Sequence, residues 1–335
     1  MPPARLALVT GATGYIGSRL VPTLLDAGWR VRVLTRSADR LSERAWSSSD
    51  QVEIVEGDAT DEAALARALA DVDVAYYLLH SMDGKGDFVE RDRRLARSFG
   101  LAAREQDVQR IVYLSGLHPV DNKLSAHLAS RVEVGDILMD SGVPTAVLQA
   151  AVIIGSGSAS FEMLRHLTRR LPAMIAPKWL DNRIQPIAVR DVLCLLVAAA
   201  DLPSHLNRTF DIGGPDVLTY RQLITRFARV DGLRRRLVVT FPVLTPKLAS
   251  LWVGLVTPVS TGIAQPLVGS LIHEVVCQEN DIAEYAEGCA RDFLTVDEAL
   301  RAALAGPRRG DGRPLPEPGE ADPAQLTTAD PEWAG

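Results

Sequence analysis

Through the first 150 residues, apolar runs of four to six residues alternate with longer segments that are apolar on one helical face only. Short continuous apolar runs are the sequence form of strands buried on both faces of a parallel sheet, and the amphipathic segments between them are the helices that cover it. The spacing predicts strands over 6–10, 30–35, 52–56, 74–79, 110–115 and 145–150. A helix over 60–72 opens at Thr60; Ala63 denies it a capping box, but Asp61 and Glu62 suit the positive end of a helix. A second, over 88–106, is strongly charged and carries Leu95, Phe99 and Ala103 at helical spacing, as an outer helix does. Residues 1–150 therefore read as an α/β domain with a doubly wound parallel sheet.

Beyond residue 150 the alternation weakens. Strand-like pieces at "AVIIG" and "RTFDIG" are separated by helices over 160–170, 189–200 and 219–229, which predicts a smaller C-terminal substrate lobe over 151–305, interleaved with the first domain. Asp191, in "PIAVRDV", stands at a helix start, where a carboxylate caps exposed N–H groups. Residues 243–272 are uncharged apart from Lys247, but Pro246, Pro258 and Pro266 cut them. The longest uninterrupted piece is about 11 residues, roughly 16 Å as helix, against the roughly 20 apolar residues of a span. A buried lid or pocket wall and a peripheral membrane contact both remain open for it. From Gly306 onward about a third of the chain is Pro and Gly, with almost no large apolar side chains, and 306–335 reads as a disordered tail or linker. Trp333 near its end leaves open a further domain beyond it.

"LALVTGATGYIGSRL" places Gly11, Gly14 and Gly17 in a Gly-x-x-Gly-x-x-Gly turn between the first strand and a helix. A strand-to-helix turn without Cβ atoms lets backbone N–H groups approach a pyrophosphate, the helix N-terminus adds positive charge, and the last glycine permits close helix-to-sheet packing. The sheet is thus Rossmann-type, and Thr13, Tyr15 and Ile16 of the same turn become cofactor contacts. At the end of the second strand, where a site for NAD(H) presents a carboxylate to the ribose, this chain has Arg36, with Arg40 one turn on. Guanidinium groups there suit a 2′-phosphate and favour NADP(H), with NAD(H) the alternative if both are merely solvated loop charges. Asp58 and Ala59 follow the third strand, where the adenine belongs; Asp58 either accepts the adenine amino group or starts the next helix. Leu79, His80 and Ser81 end the fourth strand at the switch point, beside the nicotinamide half.

Composition narrows the partners. Thirty-six Lys and Arg against 42 Asp and Glu give a net charge of −6, without the basic field that nucleic acid requires. Cys194, Cys277 and Cys289 are odd in number and far apart, matching neither a disulfide framework nor zinc-ligand spacing, and read as buried thiols of a reducing cytoplasm. The first residues lack the apolar stretch of a secretory signal.

With these residues in place the chain resembles the atypical branch of the short-chain dehydrogenase/reductase superfamily, the NmrA-like and complex-I-subunit-like NAD(P)H-binding proteins. "TGATGYIG", "GDATD", "VYLSGLHP" and "QPIAVRDV" carry the likeness over roughly residues 5–300, and "YYLLHSM" and "IIGSGSASFEM" bring it close to bacterial YbjT-like proteins. The resemblance implies Ser115 as the catalytic serine, and Ala151 and Val152 as backbone contacts to nicotinamide, with Gly155 and Gly157 in a flexible lid. It also implies a Tyr-x-x-x-Lys pair, which this chain lacks; the matching place reads "HLASR". His127 and Arg131 keep the i, i+4 spacing, a titratable group and a cation, so His127 can move a proton and Arg131 can hold the ribose or a diphosphate oxygen. His118, three residues past Ser115, is either a second proton donor or part of a His-Pro turn.

Two functions follow. One is an oxidoreductase acting on an apolar carbonyl, enone or quinone-like molecule, since residues 240–275 offer few polar groups. The other is a catalytically silent NAD(P)H-binding regulator or assembly protein.

Overall fold

The computed structural model describes residues 4–79, 88–119, 124–241, 257–259 and 273–335. Its centre is a seven-stranded sheet in the order β11-β6-β5-β4-β1-β2-β3, every neighbouring pair parallel. The first six strands are β1 (Leu6–Thr10), β2 (Arg30–Thr35), β3 (Val52–Glu56), β4 (Val74–Tyr77), β5 (Arg110–Gly116) and β6 (Thr145–Ala150). Strands β1, β4 and β6 are buried at every residue, which is why their sequences are mostly apolar, with Thr10, Thr145 and Gln149 the polar exceptions. The seventh strand, β11 (Arg208–Ile212), comes from the second half of the chain and closes the edge beside β6.

Helices cover both faces. On one lie α1 (Tyr15–Asp26) and α7 (Val189–Ala198), over a core that includes Val9, Val33, Tyr76 and Leu148. On the other lie α3 (Glu62–Leu69), α4 (Phe88–Glu105) and α5 (Ala126–Met139), over Leu8, Tyr77, Tyr113 and Val147. Tyr77 packs edge-on against Phe99 and Tyr113, with centroids 5.0 and 5.8 Å apart. Helix α3 starts two residues later than its sequence predicts, because Asp58 takes Thr60 into a turn and Asp61 becomes the cap, accepting the Ala63 N–H.

The second half adds α6 (Ala159–Arg170), α8 (Tyr220–Val230) and three small sheets. Two of these pair β7 (Ile153–Ile154) with β10 (Ile187–Ala188) and β9 (Arg183–Ile184) with β12 (Leu218–Thr219). The third pairs β8 (Ala173–Pro177) with β13 (Leu237–Phe241). Asp191 makes no cap for α7; it reaches across to accept the Leu294 N–H. Residues 243–256 and 260–272 of the apolar segment lie outside the described residues, and no described helix is long and apolar enough to cross a membrane.

Two expectations are overturned. Cys194 and Cys289 form a disulfide with Cα atoms 5.8 Å apart, and only Cys277 is a free thiol. Spacing gave no sign of the pair, because the two cysteines stand 95 positions apart in sequence and meet only in the folded chain. Residues 306–335 are not a loose tail but an ordered strap across α1 and α6, with Ala324, Leu326, Thr327, Asp330 and Ala334 all buried. Composition misled because the strap is held mainly by polar anchors and small side chains, with Leu326 the one large apolar side chain it buries. Arg19 of α1 and Asp330 form an ion pair sealed from solvent.

Candidate functional site

The strand order reverses between β1 and β4, and the crevice at their carboxyl ends is where α/β sheets of this kind take ligands. Gly11, with φ +72°, turns the chain out of β1; a Cβ there would stand 2.9 Å from the Leu78 carbonyl oxygen. At Gly17 a Cβ would stand 2.3 Å from the Gly11 carbonyl oxygen, so α1 can lie this close to the turn only without a side chain. Gly14 caps α1 with no side-chain hydrogen bond, and the first turn, whose N–H groups lack intrahelical partners, lines the crevice through Gly14, Tyr15, Ile16 and Gly17.

Two cavities open from this turn and share Gly11 and Leu79 as walls. The outer one, about 710 Å³, is lined by Thr13, Arg36, Arg40, Asp58 and Ala59. Arg36 and Arg40 are exposed there and form no ion pair among the described residues. Asp58 accepts both the backbone N–H and the hydroxyl of Thr60, at 2.8 and 2.7 Å. The Thr60 backbone bond is the main reason its carboxyl sits below the usual range. Arg91 and Leu95 of α4 complete this cavity and were not foreseen as site residues. Their i, i+4 spacing was the available sign, since Leu95 was already assigned to the inward face.

The inner cavity, about 290 Å³, gathers Gly14, Tyr15, Ile16 and Gly17, then Ser115, His127, Arg131, Ala151 and Val152, as the sequence pattern expects. Ser160 joins from "IIGSGSASFEM" and Val275 from the apolar stretch over 240–275, while Tyr220 comes without any local sequence signal. The Ser115 hydroxyl is buried and makes no hydrogen bond of good geometry; Tyr113, two residues back on the same face of β5, is near enough for its phenol to feel it. Arg131 donates to the Leu114 carbonyl and lies over the Tyr113 ring, 5.7 Å from its centroid, while the Tyr113 hydroxyl donates to the Arg131 carbonyl. These contacts hold the guanidinium beside the end of β5. Burial, reinforced by the Arg131 charge one turn on, pulls the half-buried His127 imidazole down to about 4. It is neutral at physiological pH.

His118 is not part of this group. It lines a separate cavity of about 380 Å³ with Asp136, Gln149, Asp211 and Glu279, with Arg131 as the shared wall, and its Nδ1 lies 3.3 Å from the Pro119 carbonyl oxygen. His80 and Ser81 lie outside the described residues.

With this geometry in hand, the profile of the NmrA-like family matches residues 3–240. The chain belongs to the NmrA-like family. Similar to this member is the (4-alkanoyl-5-oxo-2,5-dihydrofuran-3-yl)methyl phosphate reductase of Streptomyces griseus, 29% identical over 68% of this chain and 74% of its own. The ceramide reductase of Caulobacter vibrioides is 28% identical over 69% and 72%. Among solved structures, an NADPH-dependent quinone oxidoreductase of Escherichia coli, complexed with NADPH, superposes with a TM-score of 0.68 over 88% of this chain and 98% of its own, at 19% identity. That likeness establishes a shared fold.

Proposed function

We propose that this NmrA-like protein is an NADP(H)-preferring reductase of apolar carbonyl, enone or quinone-like compounds. The observation that carries the reading is the junction at Gly11 and Leu79 of two cavities with opposite chemistry: outside, Arg36 and Arg40, which form no ion pair among the described residues, and inside, a buried serine hydroxyl lining the same cavity as an imidazole and a fixed cation. The cofactor is supported by the bare glycine cradle, in which a Cβ at Gly17 would meet backbone. Arg36 and Arg40 would hold a 2′-phosphate, the first turn of α1 the pyrophosphate, and Ala151 and Val152 the nicotinamide face. When bound, the reduced cofactor supplies a hydride.

The protein's own part is to receive the charge that grows on the substrate oxygen. Ser115 donates a hydrogen bond to that oxygen, and Arg131 adds a positive charge already fixed in place, so little reorganisation is needed during reaction. His127 is neutral and cannot act as a stored imidazolium; it relays, one ring nitrogen giving a proton to Ser115 as Ser115 passes its own to the substrate oxygen, and the other ring nitrogen taking one from solvent. Leu78, Leu114, Leu117, Leu128 and Val152 make the remaining wall apolar, which suits a substrate with hydrocarbon flanks. The two reductase relatives, named for an alkanoyl furanone phosphate and for ceramide, support that class.

A catalytically silent regulator is the competing reading, favoured by the absent Tyr-x-x-x-Lys pair. The test is NADPH oxidation against alkanones, enones and quinones. Turnover is expected, with Ser115→Ala lowering kcat by about a hundredfold at unchanged NADPH affinity. Tight NADPH binding without turnover on any of these compounds selects the regulator.

A further inference from the structure

Arg19 stands on α1, one turn past the glycine loop, and is 2% exposed. Every donor of its guanidinium is used. Nε donates to the Pro323 carbonyl at 2.8 Å. Nη1 donates to Asp330 Oδ1 at 2.9 Å and the Tyr15 carbonyl at 3.1 Å. Nη2 donates to Asp330 Oδ2 at 2.7 Å, the Gln325 carbonyl at 3.0 Å and the Ser156 carbonyl at 3.2 Å. One side chain thus ties together α1, the loop between β7 and α6, and the strap. Its planar face lies 4.1 Å from the centroid of the Tyr15 ring, and Tyr15 is a wall of the inner cavity.

The loop itself is wedged between these partners. A Cβ at Gly155 would stand 2.2 Å from the Tyr15 hydroxyl, and one at Gly157, where φ is +92°, would stand 2.3 Å from the Asp330 carboxyl carbon. The strap adds a backbone bond, Ser156 N–H to the Ala324 carbonyl at 2.8 Å. The two glycines expected to make a flexible lid are therefore required by close packing on both sides. Asp330 is itself fixed by the Thr327 N–H at 2.8 Å and hydroxyl at 3.1 Å.

We propose that residues 306–335 are a working part of the cleft, and that Asp330 is a positioning residue for its inner half. Acting through Arg19, it holds Tyr15 and the 155–158 loop in the shape that receives the nicotinamide end of the dinucleotide. The inference rests on the dinucleotide reading above. It has a selective consequence: the outer half, built on Arg36, Arg40 and Asp58, makes none of these contacts, so losing Asp330 weakens binding of the whole cofactor and spares its adenosine end. Because coupling is reciprocal, the bound cofactor also holds the strap down.

The experiment compares NADPH with 2′,5′-ADP, which carries only the adenosine end, by calorimetry on the wild-type chain and on Asp330→Asn, below the melting temperature of both. Charge-assisted hydrogen bonds of this kind predict an NADPH Kd raised about 10- to 50-fold, with 2′,5′-ADP changed less than about twofold. Since breaking a buried ion pair can prevent folding, the same chain is also prepared with a protease site inserted between Gly310 and Gly312 and cut, leaving both pieces present. NADPH is expected to slow release of the C-terminal piece about tenfold, by native mass spectrometry, and 2′,5′-ADP to leave it unchanged. Equal NADPH affinity in wild type and Asp330→Asn, proportionate loss of both ligands, or strap release indifferent to NADPH overturns the proposal. A wild-type chain that binds 2′,5′-ADP and NADPH with no measurable affinity overturns the dinucleotide reading and this inference with it.

Discussion

The outer cavity takes its walls from β1, β2, β3 and the turns that follow them, all within the first 60 residues apart from Leu79, Arg91 and Leu95. The inner cavity is assembled from segments between residues 11 and 275, and its shape depends further on Asp330. Outside, the deciding groups are exposed arginines whose neighbours in space are mostly their neighbours in sequence. Inside, they are Ser115 at 3% exposure and a half-buried His127 whose imidazole is pulled down to about 4 by burial and by Arg131 one turn on. Affinity for an anionic cofactor can be built locally and in water, where a cation needs only to be present. Proton handling needs desolvation, and desolvation needs packing from several directions.

The contrast is most severely broken at the glycine turn, where Gly17 of the inner cavity packs on Gly11, a wall of both. Gly17→Ala puts a Cβ 2.3 Å from a backbone oxygen, which cannot swing aside as a side chain would. Loss of dinucleotide affinity of about a hundredfold or more is expected for NADPH and NADH alike. Calorimetry showing wild-type affinity would mean that α1 does not need this close approach. Next in size is Arg36→Ala, expected to raise the Kd for NADPH about tenfold while leaving NADH within about twofold. Equal losses for both cofactors would remove the 2′-phosphate from this arginine.

The smallest effect belongs to the inner half. Because the folded-state imidazole of His127 is depressed to about 4, the unfolded chain binds more protons as pH falls from its ordinary value toward 4. Stability should therefore decline over that window, with His127→Asn flattening part of the slope. Burial beside Arg165 depresses His166 to the same level, so the single variant should leave a residual slope. Thermal melts at pH 5 and pH 7 measure it. A His127 ring titrating near its ordinary value by NMR would show that the imidazole is solvated, and the relay assigned to it would fail.

How far the sequence could be read follows the same division. Strands at Leu6–Thr10 and Thr145–Ala150 fall where the apolar runs place them because every residue of both is buried; those at Arg30–Thr35 and Val52–Glu56 fall there too, their Val, Ile and Leu positions carrying the pattern past Arg32 and Glu53. Ser115, His127 and Arg131 share one cavity because β5 and α5 are consecutive and the i, i+4 spacing aligns the last two. His118 was grouped with them by nearness in sequence, yet the turn after β5 carries it past Arg131 to the other side. Tyr220 reaches the inner cavity from a segment whose own pattern says nothing of it.

The sequence by itself determined the glycine turn, the parallel sheet and the cations at the end of β2, since steric bareness, hydrophobic period and charge are properties of neighbouring residues. Only the tertiary structure decided that Cys194 meets Cys289, that Arg91 lines the outer cavity with Arg36, and that Asp330 locks Arg19 beside the inner one. Such pairs join residues tens to hundreds of positions apart, and their geometry exists only after the whole chain has paid its conformational entropy to fold.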